Sequence, residues 1–332
     1  MIGRSNGAPV SITGLGTYAP DRVLTNDELA ELVDTSDEWI TERTGIKERR
    51  IAAPEQAMTD LALPAARIAL ERAGVKPADL DLIIVATVTP DMMFPTTGSL
   101  LGDLLPAPDA AAYDLLAGCT GFVYALAQAH AMVSAGLADK ALVVGGDVLS
   151  KILDWTDRST IVLFGDGAGA VVVERVVDGG FLGFELGADG GGGQHLWLPG
   201  SGSRTFADPD RLVKMNGREV FKFATRVMVS SAEALLDEVG RTIDEVDVYV
   251  PHQANTRIID YAARKLGIPE NRVVVNVDKY GNTSSGSIPL ALADADAEGR
   301  LEPGSTVLMT GMGAGLTWGS ALMEWTANGR IE

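Results

Sequence analysis

The sequence repeats one pattern of residues at a spacing of about 165 positions, and this repetition constrains the fold more than any single motif. Three pairs of segments correspond, namely 74–81 with 240–247, 118–121 with 281–284, and 141–146 with 306–311. Their spacings agree within three residues, which chance rarely produces. We therefore predict a duplicated α/β unit, with Cys119 and Asn282 at equivalent turns that lead from a strand into a helix.

Between these anchors, apolar runs of strand length alternate with helical patterns, as in α/β proteins. The predicted strands cover residues 82–87, 111–116, 141–144, 246–250, 273–277 and 306–310. A largely buried helix is predicted over 119–137, and a second helical pattern surrounds Leu292. Two segments interrupt the repeat. Residues 22–50 look like an insertion, and 190–210, with four consecutive glycines, are predicted to form a mobile surface loop.

Composition and charge exclude several classes of protein. The 332-residue chain is 46% apolar and 22% charged, as ordinary globular proteins are. It has no apolar run long enough to span a membrane, and its first ten residues lack the apolar core of a secretory signal. With 27 basic and 45 acidic residues, its net charge of −18 disfavours binding to nucleic acid or to an anionic membrane. We expect a soluble cytoplasmic protein with neither of those partners.

Basic residues nevertheless cluster in one part of this acidic chain. The cluster consists of Arg211, Lys214, Arg218, Lys222 and Arg226, of which the last four recur every four positions. On a helix, that spacing forms a basic stripe. The stripe is either a solvated helix face or a docking face for an acidic partner, and the spacing alone favours the solvated face.

The chain has a single cysteine, which excludes an internal disulfide and a zinc site built on cysteine pairs. Cys119 follows a predicted strand and opens a predicted helix, between Gly118 and Gly121. The N–H groups at a helix N-terminus favour a thiolate and predict a lowered pKa for the cysteine. The flanking glycines would let a substrate approach closely. A buried structural thiol is an equally good interpretation of these residues alone.

Two polar residues and a glycine run are the other candidates for a site. His252 comes directly after a predicted strand, where α/β proteins often carry functional groups. Asn282 is by itself more typical of a turn, but the duplication sets it opposite Cys119 and favours a catalytic role. The run 311–315 follows the last predicted strand of the second unit. It is either a tight turn or a place where a backbone N–H meets a thioester oxygen.

Three further features are interpreted as structural. His130 lies on the predicted helix after Cys119 and is typical of a core histidine, and His195 lies in the glycine-rich segment at the surface. Residues 14–19 match the pattern G-x-G-x-x-A, but Pro20 follows at once and no crossover helix begins there. We therefore predict no dinucleotide site.

With Cys119, His252 and Asn282 identified, the chain resembles the β-ketoacyl-acyl-carrier-protein synthase III family of the thiolase-like superfamily over essentially its whole length. The segments that carry the resemblance are 35–40 (TSDEWI), 43–46 (RTGI), 117–122 (AGCTGF), 164–169 (FGDGAG), 215–217 (MNG), 220–224 (VFKFA), 251–255 (PHQAN), 280–284 (YGNTS) and 315–319 (GLTWG). The resemblance implies an α/β thiolase-like fold with duplicated halves in an αβαβα arrangement of layers. The half that carries Cys119 would span 1–174, and the half that carries His252 and Asn282 would span 175–332.

The resemblance also implies a reaction. An acyl-CoA primer and malonyl-acyl-carrier protein would give β-ketoacyl-acyl-carrier protein, carbon dioxide and CoA, which initiates fatty-acid synthesis. Cys119 is implied to be the acylated nucleophile, while His252 and Asn282 hold the malonyl thioester oxygen. The backbone N–H groups of Cys119 and Gly315 are implied to form the oxyanion hole. No cofactor and no metal is implied, because acyl-CoA and the malonyl carrier are substrates.

Other positions are implied to bind the substrates and the partner protein. The resemblance assigns Trp39, Arg43, Arg158 and Asn216 to CoA, Phe94 and Phe221 to the acyl pocket, and Lys222, Arg226 and Arg257 to the acyl carrier protein. It also implies a homodimer.

Two absences favour the initiating branch of this superfamily. Thiolases of the same fold normally use a second cysteine as a base, and elongating condensing enzymes use two histidines. The sequence departs from the family at 283–287, where TSSGS replaces the common TSAAS, and this leaves the primer open. The alternatives are a pathway-specific acyltransferase or ketosynthase of secondary metabolism and a carrier-binding scaffold without activity. The presence of Cys119, His252 and Asn282 together argues against the scaffold.

Overall fold

The computed structural model describes residues 1–5, 7–200 and 202–326, and it contains two five-stranded sheets and two short two-stranded ones. Strands are numbered in chain order. The first sheet has the order β2 (Val10–Tyr18), β8 (Gly167–Arg175), β7 (Lys140–Asp147), β5 (Leu82–Ala86) and β6 (Ala111–Leu115). The second has the order β1 (Ile2–Arg4), β9 (Gly180–Ala188), β14 (Thr317–Glu324), β13 (Thr306–Gly313) and β12 (Val248–Pro251). The short sheets pair β3 (Arg22–Thr25) with β4 (Glu48–Ile51), and β10 (Leu196–Trp197) with β11 (Lys214–Met215).

The two large sheets share one pattern of strand directions. In the first, β5 runs parallel to β7, while β8 is antiparallel to both β7 and β2. In the second, β12 runs parallel to β13, while β14 is antiparallel to both β13 and β9. Strands β5 and β13 are buried along their whole length, and β7 and β8 at every position but one, as strands covered on both faces by other layers are.

Helices fill the space between the sheets and cover both outer faces. The helices are α1 (Asn26–Ala30), α2 (Asp37–Thr44), α3 (Met58–Ala73), α4 (Thr97–Leu104), α5 (Gly121–Ser134), α6 (Arg158–Ile161), α7 (Gly217–Val239), α8 (Thr256–Leu266), α9 (Val277–Tyr280) and α10 (Ser287–Ala297). The apolar residues of α5 and α10 form one core with the inner faces of both sheets. Helices α3 and α4 cover the first sheet, and α7 and α8 cover the second. The layers therefore follow the predicted order αβαβα.

Corresponding elements of the two sheets lie 166 residues apart in the sequence. Strand β7 begins at 140 and β13 at 306, and helix α5 begins at 121 and α10 at 287. Helices α3 and α7 both end at a glycine with a left-handed backbone, Gly74 and Gly240. The duplication predicted from the sequence is present in the structure.

Cys119 corresponds to Ser285 in this duplication, and not to Asn282. The predicted pairing of Cys119 with Asn282 is therefore wrong by three residues. In both copies a short 3₁₀ turn precedes the helix, and its first residue has a positive φ, 56° at Gly118 and 52° at Ser284. The second copy has Ser284 where the first has Gly118. A comparison of the two sequences therefore matched Gly118 with the nearest glycine, Gly281, and shifted the pairing by three residues.

The predicted strand at 273–277 is also wrong. Val273 forms an isolated bridge with Tyr249 of β12, and the chain then turns into α9 at Val277. The apolar segment is too short to form a strand beside β12 before the helix begins. Asn282 consequently follows a helix, whereas a strand had been predicted before it.

The region 190–217 is more regular than its glycines suggested. Gly190–His195 forms a 3₁₀ helix, and β10 pairs with β11 directly afterwards. The mobility predicted for 190–210 stays a prediction, and residue 201 lies outside the described residues. Because α7 begins only at Gly217, Lys214 does not belong to the predicted basic stripe. The stripe on the helix consists of Arg218, Lys222 and Arg226.

Gly14 and Gly16 explain the G-x-G match near the N-terminus in structural terms. Both lie inside β2 where α3 crosses the sheet closely. A Cβ atom on Gly14 would lie 2.1 Å from the carbonyl oxygen of Ala69, and one on Gly16 would lie 2.3 Å from that of Ala65. These glycines allow a helix and a strand to pack against each other.

No helix in the described part is long and apolar enough to cross a bilayer.

The division of the chain into halves at 174 and 175 stays a prediction. Strand β8 ends at Arg175, but the N-terminal strand β1 pairs in the second sheet.

Candidate active site

Cys119 lies in the turn between β6 and α5, and hydrogen bonds from two threonines hold this turn. The hydroxyls of Thr120 and Thr317 both donate to the carbonyl oxygen of Ala117, over 2.6 and 2.8 Å. Cys119 is a free thiol with only 7% of its surface exposed. The turn is therefore fixed from within by Thr120 and from the second large sheet by Thr317 of β14.

The glycine-rich segment after β13 packs directly against this turn. A Cβ on Gly313 would lie 2.3 Å from the backbone nitrogen of Cys119, and a Cβ on Gly118 would lie 2.6 Å from that of Ala314. Side chains at either position would separate the two segments. Gly315 follows in the same segment and lines a cavity together with Cys119. Its role as an oxyanion donor stays a prediction.

The pKa of the Cys119 thiol is raised to about 12. Burial is the main cause, and the negative charge of the buried Asp147 adds to it, while a hydrogen bond involving Ser284 acts in the opposite direction. The lowered pKa expected from the helix N-terminus is therefore wrong for the free protein, because desolvation of the thiolate outweighs the helix. The resting nucleophile is a thiol.

His252 follows β12 and is almost completely buried. Burial lowers the pKa of its imidazole to about 4, so the ring is neutral at neutral pH. Its Nδ1 lies 2.6 Å from the hydroxyl of Ser287, at the start of α10. Its Nε2 is buried without a hydrogen-bond partner among the described residues, and the ring lines a cavity. One ring nitrogen thus has a fixed partner in the protein, and the other has none among the described residues.

The backbone and half of the amide group of Asn282 are fixed. Its N–H donates to the carbonyl oxygen of Leu163 over 2.8 Å, and its own carbonyl accepts from Gly165 over 3.0 Å. Its Oδ1 accepts the N–H of Ser284 over 2.9 Å. The residue lines the same cavity as His252.

Cys119, His252 and Asn282 meet at one cavity of about 380 Å³. Three cations also line this cavity, Arg43, Arg218 and Arg257. Cys119 opens at the same time on a second cavity of about 300 Å³, which is apolar. The thiol therefore stands between a space with a basic rim and a space without charge.

Of the four residues expected to bind CoA, two line the first cavity and the other two are sequence neighbours of lining residues. Trp39 and Arg43 line it, and the guanidinium groups of Arg43 and Arg158 lie 4.5 and 4.9 Å from the centre of the Trp39 ring. Asn216 stands between two lining residues, but its Oδ1 caps α7 by accepting the N–H of Glu219. Two of the expected CoA residues, Arg43 and Arg158, thus lie over the ring of a third, Trp39.

The two phenylalanines expected in the acyl pocket lie apart. Phe221 lines the first cavity, where the Arg257 guanidinium lies 5.3 Å from its ring centre. Phe94 is 84% exposed and lines neither cavity. A place in the acyl pocket stays a prediction for both.

The residues expected to face a carrier protein form a basic rim. Lys222 and Arg226 lie on α7 and Arg257 on α8, and all three are exposed. Within residues 1–5, 7–200 and 202–326, none of the three has a carboxylate within salt-bridge distance. Arg218 belongs to the same rim, and its lining of the cavity was not predicted.

Comparison with known proteins agrees with this geometry. Two family models match, 3-oxoacyl-[acyl-carrier-protein] synthase III over residues 113–190 and its C-terminal part over 236–325. The β-ketoacyl-[acyl-carrier-protein] synthase III of Desulfitobacterium hafniense is 52% identical over 327 residues, covering 96% of this chain and 99% of the relative. The chain belongs to the β-ketoacyl-acyl-carrier-protein synthase III family. It is accordingly an acyltransferase of the thiolase-like fold.

Solved structures of synthase III enzymes superpose closely on this chain. The enzyme of Thermus thermophilus has a TM-score of 0.91 at 50% identity, over 96% of this chain and 99% of that one. The enzyme of Aquifex aeolicus VF5 has a TM-score of 0.91 at 47% identity, over 95% and 100%. The resemblance recognised in the sequence is thus confirmed for the family and the fold.

Two features of this synthase III site were not predicted. Ser287, which orients His252, was the last residue of the altered segment 283–287, but nothing in the sequence pointed to its partner. Asp147 is fully buried and accepts hydrogen bonds from Thr87, Thr89 and Ser285. It ties the loop after β5 to the turn before α10. The partners of a buried carboxylate come from distant segments, so the sequence could not reveal them.

Proposed function

We propose that this protein condenses an acyl-CoA primer with malonyl-acyl-carrier protein, through an acyl thioester on Cys119. The observation that carries the proposal is the meeting of Cys119, His252 and Asn282 at one cavity with a basic rim, with a second, apolar cavity on the other side of the thiol. This arrangement suits a reaction that holds an acyl group on one side while it admits an anionic substrate from the other.

In the first step, the sulfur of Cys119 attacks the thioester carbonyl of the acyl-CoA. The bond between carbonyl carbon and CoA sulfur breaks, and the departing CoA thiolate takes up the proton that the Cys119 thiol loses. Backbone N–H groups of Cys119 and Gly315 stabilise the oxyanion formed on the way. The nucleotide part of CoA lies between Trp39, Arg43 and Arg158, since an aromatic face and cations suit adenine and phosphate.

In the second step, the carbon–carbon bond to the malonyl carboxylate breaks, and carbon dioxide leaves. The electron pair moves onto the malonyl thioester oxygen, where Nε2–H of His252 and Nδ2–H of Asn282 donate to the developing charge. The resulting enolate carbon attacks the acyl thioester on Cys119. The carbon–sulfur bond breaks, and Cys119 regains its thiol after protonation. A neutral His252 suits this role, because its Nε2–H stabilises the developing charge by a hydrogen bond and keeps its proton.

The protein partner in this proposal is an acyl carrier protein, which docks on the basic rim of Lys222, Arg226 and Arg257. Carrier proteins of this kind are acidic, and exposed cations without carboxylate partners attract acidic surfaces. We also propose a homodimer, because Met92, Met93 and Phe94 expose apolar side chains next to one another. Light scattering that finds a monomer at micromolar concentration would contradict the dimer.

The proposed reaction is tested by separating its two steps. Purified protein is incubated with a panel of acyl-CoAs, and acylation is measured by intact-protein mass spectrometry. Malonyl-carrier protein is then added, and the carrier is weighed. We expect Cys119→Ser to abolish acylation, whereas His252→Ala and Asn282→Ala still acylate but form no β-ketoacyl carrier. Acylation of the Cys119→Ser variant at the wild-type level would contradict the proposal. So would a wild-type protein that is acylated but forms no β-ketoacyl carrier protein.

A further inference from the structure

Asp147, the last residue of β7, is a fully buried carboxyl group that the reaction proposed above does not use. An ionised Asp147 raises the pKa of the Cys119 thiol, so the two groups lie within electrostatic reach of each other. Across residues 1–5, 7–200 and 202–326, no basic side chain lies within salt-bridge distance of this carboxyl group. A charge buried without a cation is costly, and the protonation state of Asp147 therefore matters for the nucleophile.

The two oxygens of this carboxyl group have unequal surroundings. Oδ1 accepts the backbone N–H groups of Val88 and Thr89, over 2.7 and 3.1 Å, and the hydroxyls of Thr87 and Thr89, over 2.8 and 2.9 Å. The contacts of Oδ2 with Ser285 are longer, 3.1 Å to its hydroxyl and 3.5 Å to its N–H. A carboxylate accepts at both oxygens, whereas a carboxylic acid accepts at one oxygen and donates from the other. The crowding of donors at Oδ1 fits the acid.

The hydroxyl of Ser285 supports the same assignment. It carries one hydrogen but faces three oxygens, the carbonyls of Ala86 and Gly146 at 2.7 and 3.3 Å and Oδ2 of Asp147 at 3.1 Å. The shortest contact is the one to Ala86, and we assign the hydrogen to it. The contact between Ser285 and Oδ2 then needs a hydrogen from Asp147. With Asp147 ionised, Ala86 and Asp147 would compete for the single hydrogen of Ser285.

The titratable groups on the elements packed around Asp147 are Cys119, Asp166, Asp91 and Lys151. Asp91 is bonded to a threonine of α3, and Lys151 donates to two backbone carbonyls. Cys119 and Asp166 are acids, and an ionised Asp147 raises the pKa of both. Three acids thus share one buried region, which favours the neutral form of each.

Ser284 connects Asp147 with the nucleophile. Burial raises the pKa of the Cys119 thiol and of the Asp147 carboxyl, and hydrogen bonds with Ser284 oppose this in both cases. Ser284 therefore lies between the two groups. Its backbone φ of 52° is left-handed, which is unfavourable for a residue with a Cβ atom. A partner that holds the neighbouring Ser285 is needed to keep Ser284 beside the thiol.

We propose that Asp147 is a neutral carboxylic acid in the free protein and acts as a positioning residue for Cys119. Its Oδ2–H donates to Ser285 and fixes the turn that carries Ser284 against the thiol. Because Asp147 is neutral, it does not repel the negative charge that develops on the sulfur and on the thioester oxygen during acyl transfer. The role in acyl transfer rests on the function proposed above, whereas the protonation state of Asp147 does not.

Infrared spectroscopy of the full chain at neutral pH tests the protonation state. Asp147→Asn has the same shape, and its amide accepts and donates as the acid does. We expect the difference spectrum of wild type minus Asp147→Asn to contain the C=O stretch of a protonated carboxylic acid. A carboxylate band in its place would overturn the proposal. The control is Glu185→Gln, a buried carboxyl bonded to Ser231 and Trp318 instead, whose difference spectrum should lack the band of Asp147.

Alkylation of Cys119 by iodoacetamide gives a second measure that does not depend on any substrate. If Asp147 is neutral, Asp147→Asn should leave the rate at pH 7 within about twofold of the wild type, as should Glu185→Gln. If Asp147 is ionised, the substitution removes a negative charge beside the thiol and lowers its pKa. A rate at pH 7 that rises at least about tenfold would therefore overturn the proposal.

The positioning role is tested by single-turnover acylation of Cys119 with acyl-CoA. Asp147→Leu is neutral and similar in size but neither donates nor accepts, and we expect it to acylate at least about tenfold more slowly than Asp147→Asn, which should stay near the wild type. Equal rates in the two folded variants would overturn this role. Should Asp147→Leu not fold, a tenfold loss in Asp147→Asn would overturn it alone, because the amide keeps both hydrogen bonds. A wild type that no acyl-CoA acylates would contradict the proposed function and leave the infrared result standing.

Discussion

The hydroxyl of Ser287 lies 2.6 Å from Nδ1 of His252, and this contact leaves Nε2 as the ring nitrogen without a partner among the described residues. The same hydroxyl accepts the backbone N–H of Gln253 over 3.4 Å, and we assign its own hydrogen to Nδ1. A ring that accepts at Nδ1 carries its proton on Nε2. That tautomer makes the buried Nε2 a donor, as the stabilisation of an enolate oxygen requires.

We expect Ser287→Ala to slow decarboxylation at least about fivefold, because the loss of one hydrogen bond of about 1 kcal/mol leaves the tautomer unfixed. Acylation of Cys119 should be unaffected, since it does not use His252. Single-turnover assays of the two steps give the comparison. Ser285→Ala is the matched control, because that serine is equally buried and bonds to Ala86 and Asp147 instead. Equal effects of both variants on decarboxylation would argue against a specific role of Ser287.

The raised pKa of Cys119 predicts how the free enzyme reacts with alkylating agents. At neutral pH only a small fraction is thiolate, so the rate of modification by iodoacetamide should rise about tenfold per pH unit between about pH 7 and 10. The adduct is counted by mass spectrometry, and the single cysteine makes the site unambiguous. A rate that levels off near pH 7 would mean that the helix N-terminus, and not burial, dominates.

His130 predicts a loss of stability in mild acid. Burial against Phe181 and Phe184 lowers the pKa of its imidazole to about 4. The unfolded chain takes up this proton below about pH 6.5 and the folded chain only below about 4, so the free energy of unfolding falls as the pH drops through that window. At about pH 5 the loss from this group is about 2 kcal/mol.

The test for His130 compares denaturant unfolding at neutral pH and at about pH 5. His130→Leu removes the titrating group and should reduce the difference between the two conditions by about 2 kcal/mol. His252 has a similarly lowered pKa, so part of the pH dependence should persist in this variant. An undiminished difference would show that His130 does not protonate on unfolding.

We expect the buried Arg49 to stabilise the segments that carry the proposed CoA site. Its side chain is fully buried and donates to the carbonyl oxygens of Leu24 and Val162 and to Oδ1 of Asn26. These contacts join the segment that carries Trp39 to the one that carries Arg158. Arg49→Met would leave three buried acceptors without a donor, at a cost of about 3 kcal/mol in the free energy of unfolding.

Arg49→Met should also raise the KM for acyl-CoA, because Trp39 and Arg158 lose their common anchor. Arg22→Met is the control, since Arg22 lies in the same insertion but is exposed and bonded to Glu28. Unfolding curves and initial rates are measured for both variants. An Arg49→Met protein with a wild-type KM would show that the two segments keep their positions independently.

The sequence by itself determined the family and the duplication, and it supplied the proposed catalytic residues. Long buried strands, a cysteine between glycines, and histidine and asparagine in turns leave a local signature, because each constrains the chemistry of a few adjacent positions. Even so, local signatures misplaced the repeat by three residues at Asn282 and predicted a strand at 273–277. Both errors arose where a short stretch of sequence admits more than one backbone conformation.

Only the tertiary structure decided the environment of those residues. Whether Cys119 has a low or a high pKa depends on how completely other segments exclude water from it. Its position at a helix start predicted a lowered pKa, whereas the pKa is raised. The partner of His252 lies 35 positions away at Ser287. The size of the cavity behind the thiol results from side chains of several separate elements. Desolvation, hydrogen-bond pairing and cavity volume arise between segments that are distant in the sequence, and a local pattern therefore carries no record of them.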